Sequence, residues 1–404
     1  MESTDLKGPL AGITVLDLSR VMAGPYCTML MADMGADVIK IENPDGGDDT
    51  RSYLPAIRGV GVYFANINRN KRGVTLNLKS QEGKALFLEM VAKADVVVEN
   101  YRVGVMDKLG LGYEVLKTAN PGIIYASVSG FGSYGPYADR PGYDIVAQAM
   151  GGLMSLTGEP SGPPTKVGTS IGDETAGMNL AIGILAALLF RERTGRGQYL
   201  EVALTDSIVA LSSIMYAMFV NGGEMPSRIG NEDRGLCPFS DYRAKDGRFI
   251  ICCGNQKLFE TLCQKVLKMP ELLQDERFKD MEARAPIPIH HAFRQILEEW
   301  SMRNTVAENL EILLREGIPC SAIYDAAQVF SDEHIARARE MFPKVHHPLI
   351  GEMTVMGNPI KFRDTRVSID RPAPLLGQHN HEIYSEMTGM SSQEIEGLRA
   401  NGAI

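Results

Sequence analysis

The chain has 404 residues, of which 44% are hydrophobic and 23% charged, with a formal net charge of −9. One hydrophobic core stops growing at roughly 250–300 residues, so two structural units are expected. The acidic balance disfavours non-specific attraction to nucleic acid or to an anionic membrane surface, and an anionic ligand would need a local basic pocket.

The first residues, Met1-Glu-Ser-Thr-Asp-Leu-Lys, are polar and acidic and lack the basic start and apolar run of a secretory signal. A cytoplasmic protein is therefore expected. Cys27, Cys237, Cys252, Cys253, Cys263 and Cys320 show no C-x-x-C spacing, which fits reduced thiols, and no metal site is expected.

From Ile13 to Leu18, Ala23 to Met34 and Asp37 to Glu42, with Gly35 between the last two, apolar runs alternate with a helical pattern in a β-α-β order. The pattern continues with a strand at Val74 to Leu78, a helix from Gln81 to Ala94 capped by Ser80, and strands at Asp95 to Asn100 and Ile123 to Ser129. Continuous apolar strands predict a parallel sheet covered on both faces. A long helix from Gly172 to about Arg193 stops at Thr194-Gly-Arg-Gly, and Tyr199 to Leu204 supplies another strand.

The apolar stretches Ala176 to Phe190 and Ile208 to Val220 fall short of the ~18–20 residues that cross a bilayer and are expected to be buried helices. From Asn221 glycines and prolines thicken. A second pattern then runs through a strand at Phe249 to Gly254, helices at Leu258 to Leu267, His291 to Arg303 and Thr305 to Arg315, and a strand at Ser321 to Tyr324. The last segment, with a terminal helix at Ser392 to Ala400, is too small for its own core and should pack on the first unit. No internal repeat interrupts this scheme.

Several familiar chemistries are missing. The turn after the first strand reads Ser19-Arg-Val-Met-Ala-Gly-Pro-Tyr rather than G-x-G-x-x-G, neither a Walker A loop nor a G-x-S-x-G elbow occurs, and all seven histidines lie at or beyond His290. Carboxylates and amides must therefore act in the β-α-β half. The late pairs His346-His347 and His379-Asn-His381 are assigned no role.

Attention falls on Ser170-Ile-Gly-Asp173-Glu-Thr-Ala-Gly-Met, an acid at the start of a long apolar helix. Aspartate is a favoured helix cap, and spacing alone supports no more than that. Alternatively, the helix N-terminus keeps an ionised carboxylate beside backbone N–H groups where an oxyanion could form, and an aspartate of ordinary pKa, about 3.9, is anionic at neutral pH without a partner base.

Leu10-Ala-Gly-Ile-Thr-Val-Leu-Asp-Leu-Ser-Arg-Val-Met-Ala-Gly-Pro, Gly35-Ala-Asp-Val-Ile-Lys-Ile-Glu, Asn68-Arg-Asn-Lys-Arg, Asp95-Val-Val-Val-Glu-Asn-Tyr-Arg, Ser129-Gly-Phe-Gly-Ser-Tyr-Gly-Pro, Pro141-Gly-Tyr-Asp and Thr194-Gly-Arg-Gly-Gln occur in that order. Together they resemble the family III CoA-transferases over nearly the whole chain, with the nearest likeness to members that use oxalate. The resemblance implies an α/β fold: a large Rossmann-like parallel-sheet domain built from both chain ends (1–220 with 330–404), a smaller α+β domain with its linkers (221–329), and an interlocked homodimer. It implies that Asp173 is the nucleophile, forming a mixed anhydride and then an aspartyl-CoA thioester. The reaction would move CoA from acetyl-, formyl- or succinyl-CoA to a short acid, oxalate or another small dicarboxylate, with no prosthetic group, no nucleic acid and no membrane.

By the same resemblance CoA contacts fall at Met22, Ala23, Asn43, Leu76 to Lys79, Asn100, Tyr101, Arg102, Lys108, and Arg140 to Tyr143. Arg69, Lys71 and Arg72 fit either a solvated turn or a phosphate contact. The family's racemase branch carries histidine where this chain has Tyr143, and a tyrosine with pKa near 10 is a poor general base at neutral pH. A 2-methylacyl-CoA racemase and a non-catalytic CoA-ester binding protein are the alternatives. The four-glycine loop that shields the intermediate in formyl-CoA-using members has no counterpart; Gly222-Gly223 and Arg248-Phe-Ile-Ile-Cys-Cys-Gly-Asn stand there instead.

Overall fold

The computed structural model describes residues 8–404. Its main sheet has six parallel strands: β1 (Thr14–Asp17), β2 (Asp37–Glu42), β3 (Arg72–Thr75), β4 (Val96–Glu99), β5 (Ile124–Ser129) and β6 (Tyr199–Ala203). Their spatial order is β3-β2-β1-β4-β5-β6, that of a doubly wound nucleotide-binding sheet, which reverses direction between β1 and β4. Register is set by apolar residues buried on both faces, Leu16 lying opposite Ile39 on one side and Val97 on the other.

Helices α1 (Ala23–Asp33), α2 (Gln81–Val91), α3 (Asp144–Met150) and α4 (Ile171–Thr194) follow the strands. Helix α4, with 24 residues, is long and apolar enough to cross a bilayer by length and composition, which the shorter stretch marked from sequence was not. Its buried face, Ala176, Leu180, Ala181, Ile184 and Ala187, belongs to one core cluster with Ala23 and Cys27 of α1 and Ile124 of β5, so core packing accounts for the apolarity of that face, whereas Met178, Ile182, Leu189 and Phe190 are exposed, against the expectation of a buried helix. Gly177 permits the approach of α1: a Cβ there would meet the Ala23 carbonyl oxygen at 2.6 Å.

The stretch expected as one buried helix is two, α5 (Leu204–Leu211) and α6 (Ser213–Gly222), bent by 69°. Burial is also not what was expected. In α6 no residue is buried, and Ile214 and Val220 are 68% and 76% exposed, because apolar composition dictates burial only when a partner surface is present.

Contacts group the chain into two units, one comprising the chain through Leu153 with Lys166–Gly223 and Glu333–Ile404, the other Met154–Thr165 with Glu224–Asp332. The short Met154–Thr165 segment, expected with the large unit, joins the smaller one because Arg228 donates to the carbonyl oxygens of Glu159 and Gly162, and the Gly230 N–H to that of Gly158. The smaller unit has a three-stranded antiparallel sheet, β7 (Phe239–Arg243), β8 (Arg248–Cys252) and β9 (Cys320–Ala322), with β8 central. Helices α7 (Ile287–Ser301) and α8 (Val306–Arg315) complete its core around Phe259, Phe293 and Leu297.

The C-terminal segment returns to the large unit and contributes α9 (Asn380–Thr388), which sequence reading missed, and α10 (Ser392–Ala400). It closes the free edge of β3: His379 Nδ1 accepts the Gly73 N–H at 2.9 Å, Asn380 Oδ1 that of Thr75 at 2.9 Å, and Tyr384 Oη donates to the Thr75 carbonyl at 2.6 Å. An exposed edge strand is thereby removed, and His379, assigned no role from sequence, has a structural one.

Candidate active site

At the carboxyl ends of β1 and β4, where the strand order reverses, lies a cavity of about 550 Å³, the position at which open α/β sheets bind ligands. The turn after β1 and the segment after β4 meet there. Asn100 holds both backbone groups of Arg20, accepting its N–H at 2.7 Å and donating to its carbonyl at 2.6 Å. Of the residues proposed from sequence, Met22, Ala23, Asn100, Tyr101, Arg102, Lys108, Arg140, Tyr143 and Asp173 all line this cavity.

Asn43 and Lys79 do not line it; both are exposed beyond the carboxyl ends of β2 and β3. Leu76 is 2% exposed and its side chain packs in the core, so it offers no side-chain contact to a ligand. Arg69, Lys71 and Arg72 are neither solvated nor free for phosphate. Arg69 pairs with Asp33 at 2.7 Å, Lys71 with Asp17 at 2.9 Å, and Arg72 with Asp37, Glu382 and Glu386. Their acids lie far away in sequence, which is why local spacing could not reveal the pairing.

Helix α4 begins at Ile171, so Asp173 is in its first turn and not its cap. Capping is supplied from outside. Asp144 Oδ1 accepts the Gly172 N–H at 2.8 Å, while its other oxygen accepts from Gln148 at 2.7 Å. Among the described residues no hydrogen bond or ion pair reaches the Asp173 carboxylate. Burial first, then the like charges of Asp144 and Glu174, push it up to about 7 from the ordinary 3.8. The expectation of an aspartate of ordinary pKa is thus corrected: the charged form is disfavoured, and the group titrates close to neutral pH.

Two residues here were missed from sequence. Asp144 sits in the Pro141-Gly-Tyr-Asp segment but is identified as the carboxylate behind Asp173 only by the fold. Tyr63 stands close enough that Asp173, after burial, raises its phenol above the ordinary range, and it packs edge-on against Tyr53 with ring centroids 5.9 Å apart. The same lining carries Arg102, Lys108 and Arg140, with Arg20 paired to Asp49 and with Asp139 beside them, cations of the kind that an acidic protein needs locally to hold an anion.

An unpaired aspartate at the switch point of a Rossmann-like sheet, in a cavity that cations also line, defines a class that comparison makes explicit. The profile of CoA-transferase family III matches residues 10–380, and the chain belongs to that family. It is a CoA-transferase: it is 41% identical to an acetyl-CoA:oxalate CoA-transferase of Acetobacter aceti over 94% of this chain and 96% of that one. It is 40% identical to a succinyl-CoA:mesaconate CoA-transferase of Haloarcula hispanica, over 96% and 99%. A solved CAIB/BAIF family protein from Brucella suis superposes with a TM-score of 0.82 at 38% identity, covering 94% of this chain and all of that one.

Proposed function

We propose that this CoA-transferase moves CoA from acetyl-, formyl- or succinyl-CoA to a short dicarboxylic acid, oxalate first among them, with Asp173 as the covalent carrier. The observation that carries the reading is the Asp173 carboxylate itself, unpaired on the wall of the switch-point cavity. An Asp173 oxygen attacks the thioester carbonyl, the C–S bond breaks, and CoA thiolate leaves a mixed anhydride. The thiolate then attacks the Asp173 carbonyl, releasing the donor acid and leaving an aspartyl-CoA thioester. The acceptor carboxylate displaces CoA from that thioester to form a second anhydride. Attack by the thiolate on the acceptor carbonyl releases the new acyl-CoA and restores Asp173.

A raised pKa suits this cycle, since a desolvated carboxylate is the better nucleophile and, as part of an anhydride, carries no charge to bury. Dicarboxylates are favoured because relatives are named for oxalate, mesaconate and glutarate. The test offers acetyl-, formyl- and succinyl-CoA against a panel of carboxylates and identifies new thioesters by mass. Acceptance of long-chain acids alone would overturn the dicarboxylate assignment.

Against racemisation, the position where the resemblance puts the racemase histidine is Tyr143, which lines the cavity, and among the described residues no histidine lines it. Exchange of the α-hydrogen of a 2-methylacyl-CoA in heavy water without CoA transfer would favour that alternative. The exposed apolar residues of α4 and α6, Ile182, Ile214 and Val220, support a homodimer; a monomeric mass in sedimentation equilibrium would refute it. The six free cysteines fit a reducing, cytoplasmic setting, and a thiol count on protein taken directly from cells checks it.

A further inference from the structure

Val21, in the turn between β1 and α1, has φ +66°, a left-handed conformation that a β-branched side chain strongly disfavours. Such strain persists only where the surroundings over-determine it, and here they do. The Ser19 N–H donates to Asp17 Oδ1 at 2.9 Å, and the Ser19 carbonyl accepts from Lys40 Nζ. Both backbone groups of Arg20 are held by Asn100. The Val21 N–H lies 3.3 Å from each carboxylate oxygen of Asp48. Five consecutive backbone groups are thus met by side chains.

Behind the turn lie two ion pairs, Lys40–Asp48 at 3.0 Å and Asp17–Lys71 at 2.9 Å, with all four side chains at 0% exposure. Asp17 and Lys40 are register partners on β1 and β2, so the pairs form one electrically balanced cluster, further tied by Thr28 to Asp17 at 2.7 Å and Lys71 to Asn68 at 2.9 Å. Apolar residues of similar volume commonly serve stability as well as buried ion pairs do. Stability therefore does not account for gathering four charges behind one strained residue.

Location does. Val21 and its neighbours Met22 and Ala23 share the cavity with Asp173, and the first turn of α1 rests on Gly177, one helical turn beyond Asp173. We propose that the Asp17–Lys40–Asp48–Lys71 cluster is a positioning device for CoA transfer, clamping the Ser19–Val21 turn so that strained Val21 and the start of α1 face Asp173 in one fixed arrangement. This rests on the reading of Asp173 as the reacting group. None of the four charged residues touches substrate; they act through the turn.

The test uses the full-length protein and a charge-neutral double variant, Lys40→Met with Asp48→Asn, which leaves no unpaired buried charge. With acetyl-CoA and oxalate, or whichever pair of the panel the wild type turns over, kcat should fall about tenfold or more while KM for the acyl-CoA changes less than about threefold. Adding Val21→Gly, for which φ +66° carries no steric cost, should recover a large part of the lost kcat. A structural role alone predicts no such recovery.

If the double variant fails to fold, Asp17→Asn with Lys71→Met is read in the same way. Unchanged kcat, or a loss that Val21→Gly does not relieve, overturns the inference and leaves the function standing. A wild type inactive with every pair removes both.

Discussion

Replacing Asp173 by Asn should make the protein more stable, and increasingly so as the pH rises. Burial and the like charges of Asp144 and Glu174 push the folded carboxyl group up to about 7 from 3.8, so its charged form costs about 4 kcal/mol, at 1.36 kcal/mol per pH unit. The native state binds the extra proton, so the stability tied to the protonated acid is complete below pH 3.8 and is lost as pH rises through about 7. Asparagine has the same shape and does not titrate. The stability gap between variant and wild type should therefore be about 4 kcal/mol at pH 8 and about 2 kcal/mol at pH 5.

Thermal or denaturant unfolding of both proteins at pH 5, 6, 7 and 8 at matched ionic strength measures that gap. Any fixed difference in hydrogen bonding cancels between pH values, as do the titrations the two proteins share. A gap independent of pH, or one that shrinks toward pH 8, would refute the claim that Asp173 is a desolvated carboxylate held beside like charges. A stability gain on removing an active-site group is the usual sign of strain kept for function.

The same titration sets the kinetics: kcat/KM for acyl transfer should rise with pH through about 7 and then level off as Asp173 ionises, whereas a profile already flat from pH 5 would contradict it. Arg102→Ala should raise KM for the acyl-CoA about tenfold and leave kcat within a few-fold, because Arg102 lines the cavity; steady-state kinetics with a saturating acceptor distinguish this from a loss of kcat. Gly177→Val should cost about 1–3 kcal/mol in thermal unfolding, because its Cβ would stand 2.6 Å from the Ala23 carbonyl oxygen. An unaltered melting temperature would show that α1 and α4 separate freely.

Much of the large unit is legible in the sequence. Continuous apolar strands such as Val96 to Val98 are buried on both faces and leave no ambiguity of period, and Ser80 caps its helix as expected, accepting from Gly83 at 3.0 Å. Strand β7 escaped notice because polar residues occupy its buried positions: Asp241 is matched by Arg248 of the neighbouring strand, a pairing that only tertiary structure supplies. Exposure of α6 was equally illegible, since its composition is that of a core helix.

The site divides along the same line. Asp173 is marked by the ordered family motifs around it, since an acid opening a long apolar helix reads by spacing as no more than a cap, and neither signal reveals the raised pKa. Asp144 and Tyr63, which set its environment, are brought to it by the fold and carry no spacing signal. For Arg69, Lys71 and Arg72 the sequence leaves a solvated turn and a phosphate contact equally open, because the acids that pair with them come from other elements.

Asp173 should become covalently attached during turnover. Incubation of the protein with acetyl-CoA, quenching with hydroxylamine and peptide mass spectrometry should find the hydroxamate on Asp173, with none on the Asp173→Asn protein and no transfer by that variant. A hydroxamate on a different residue, or transfer by the variant at the wild-type rate, would contradict it.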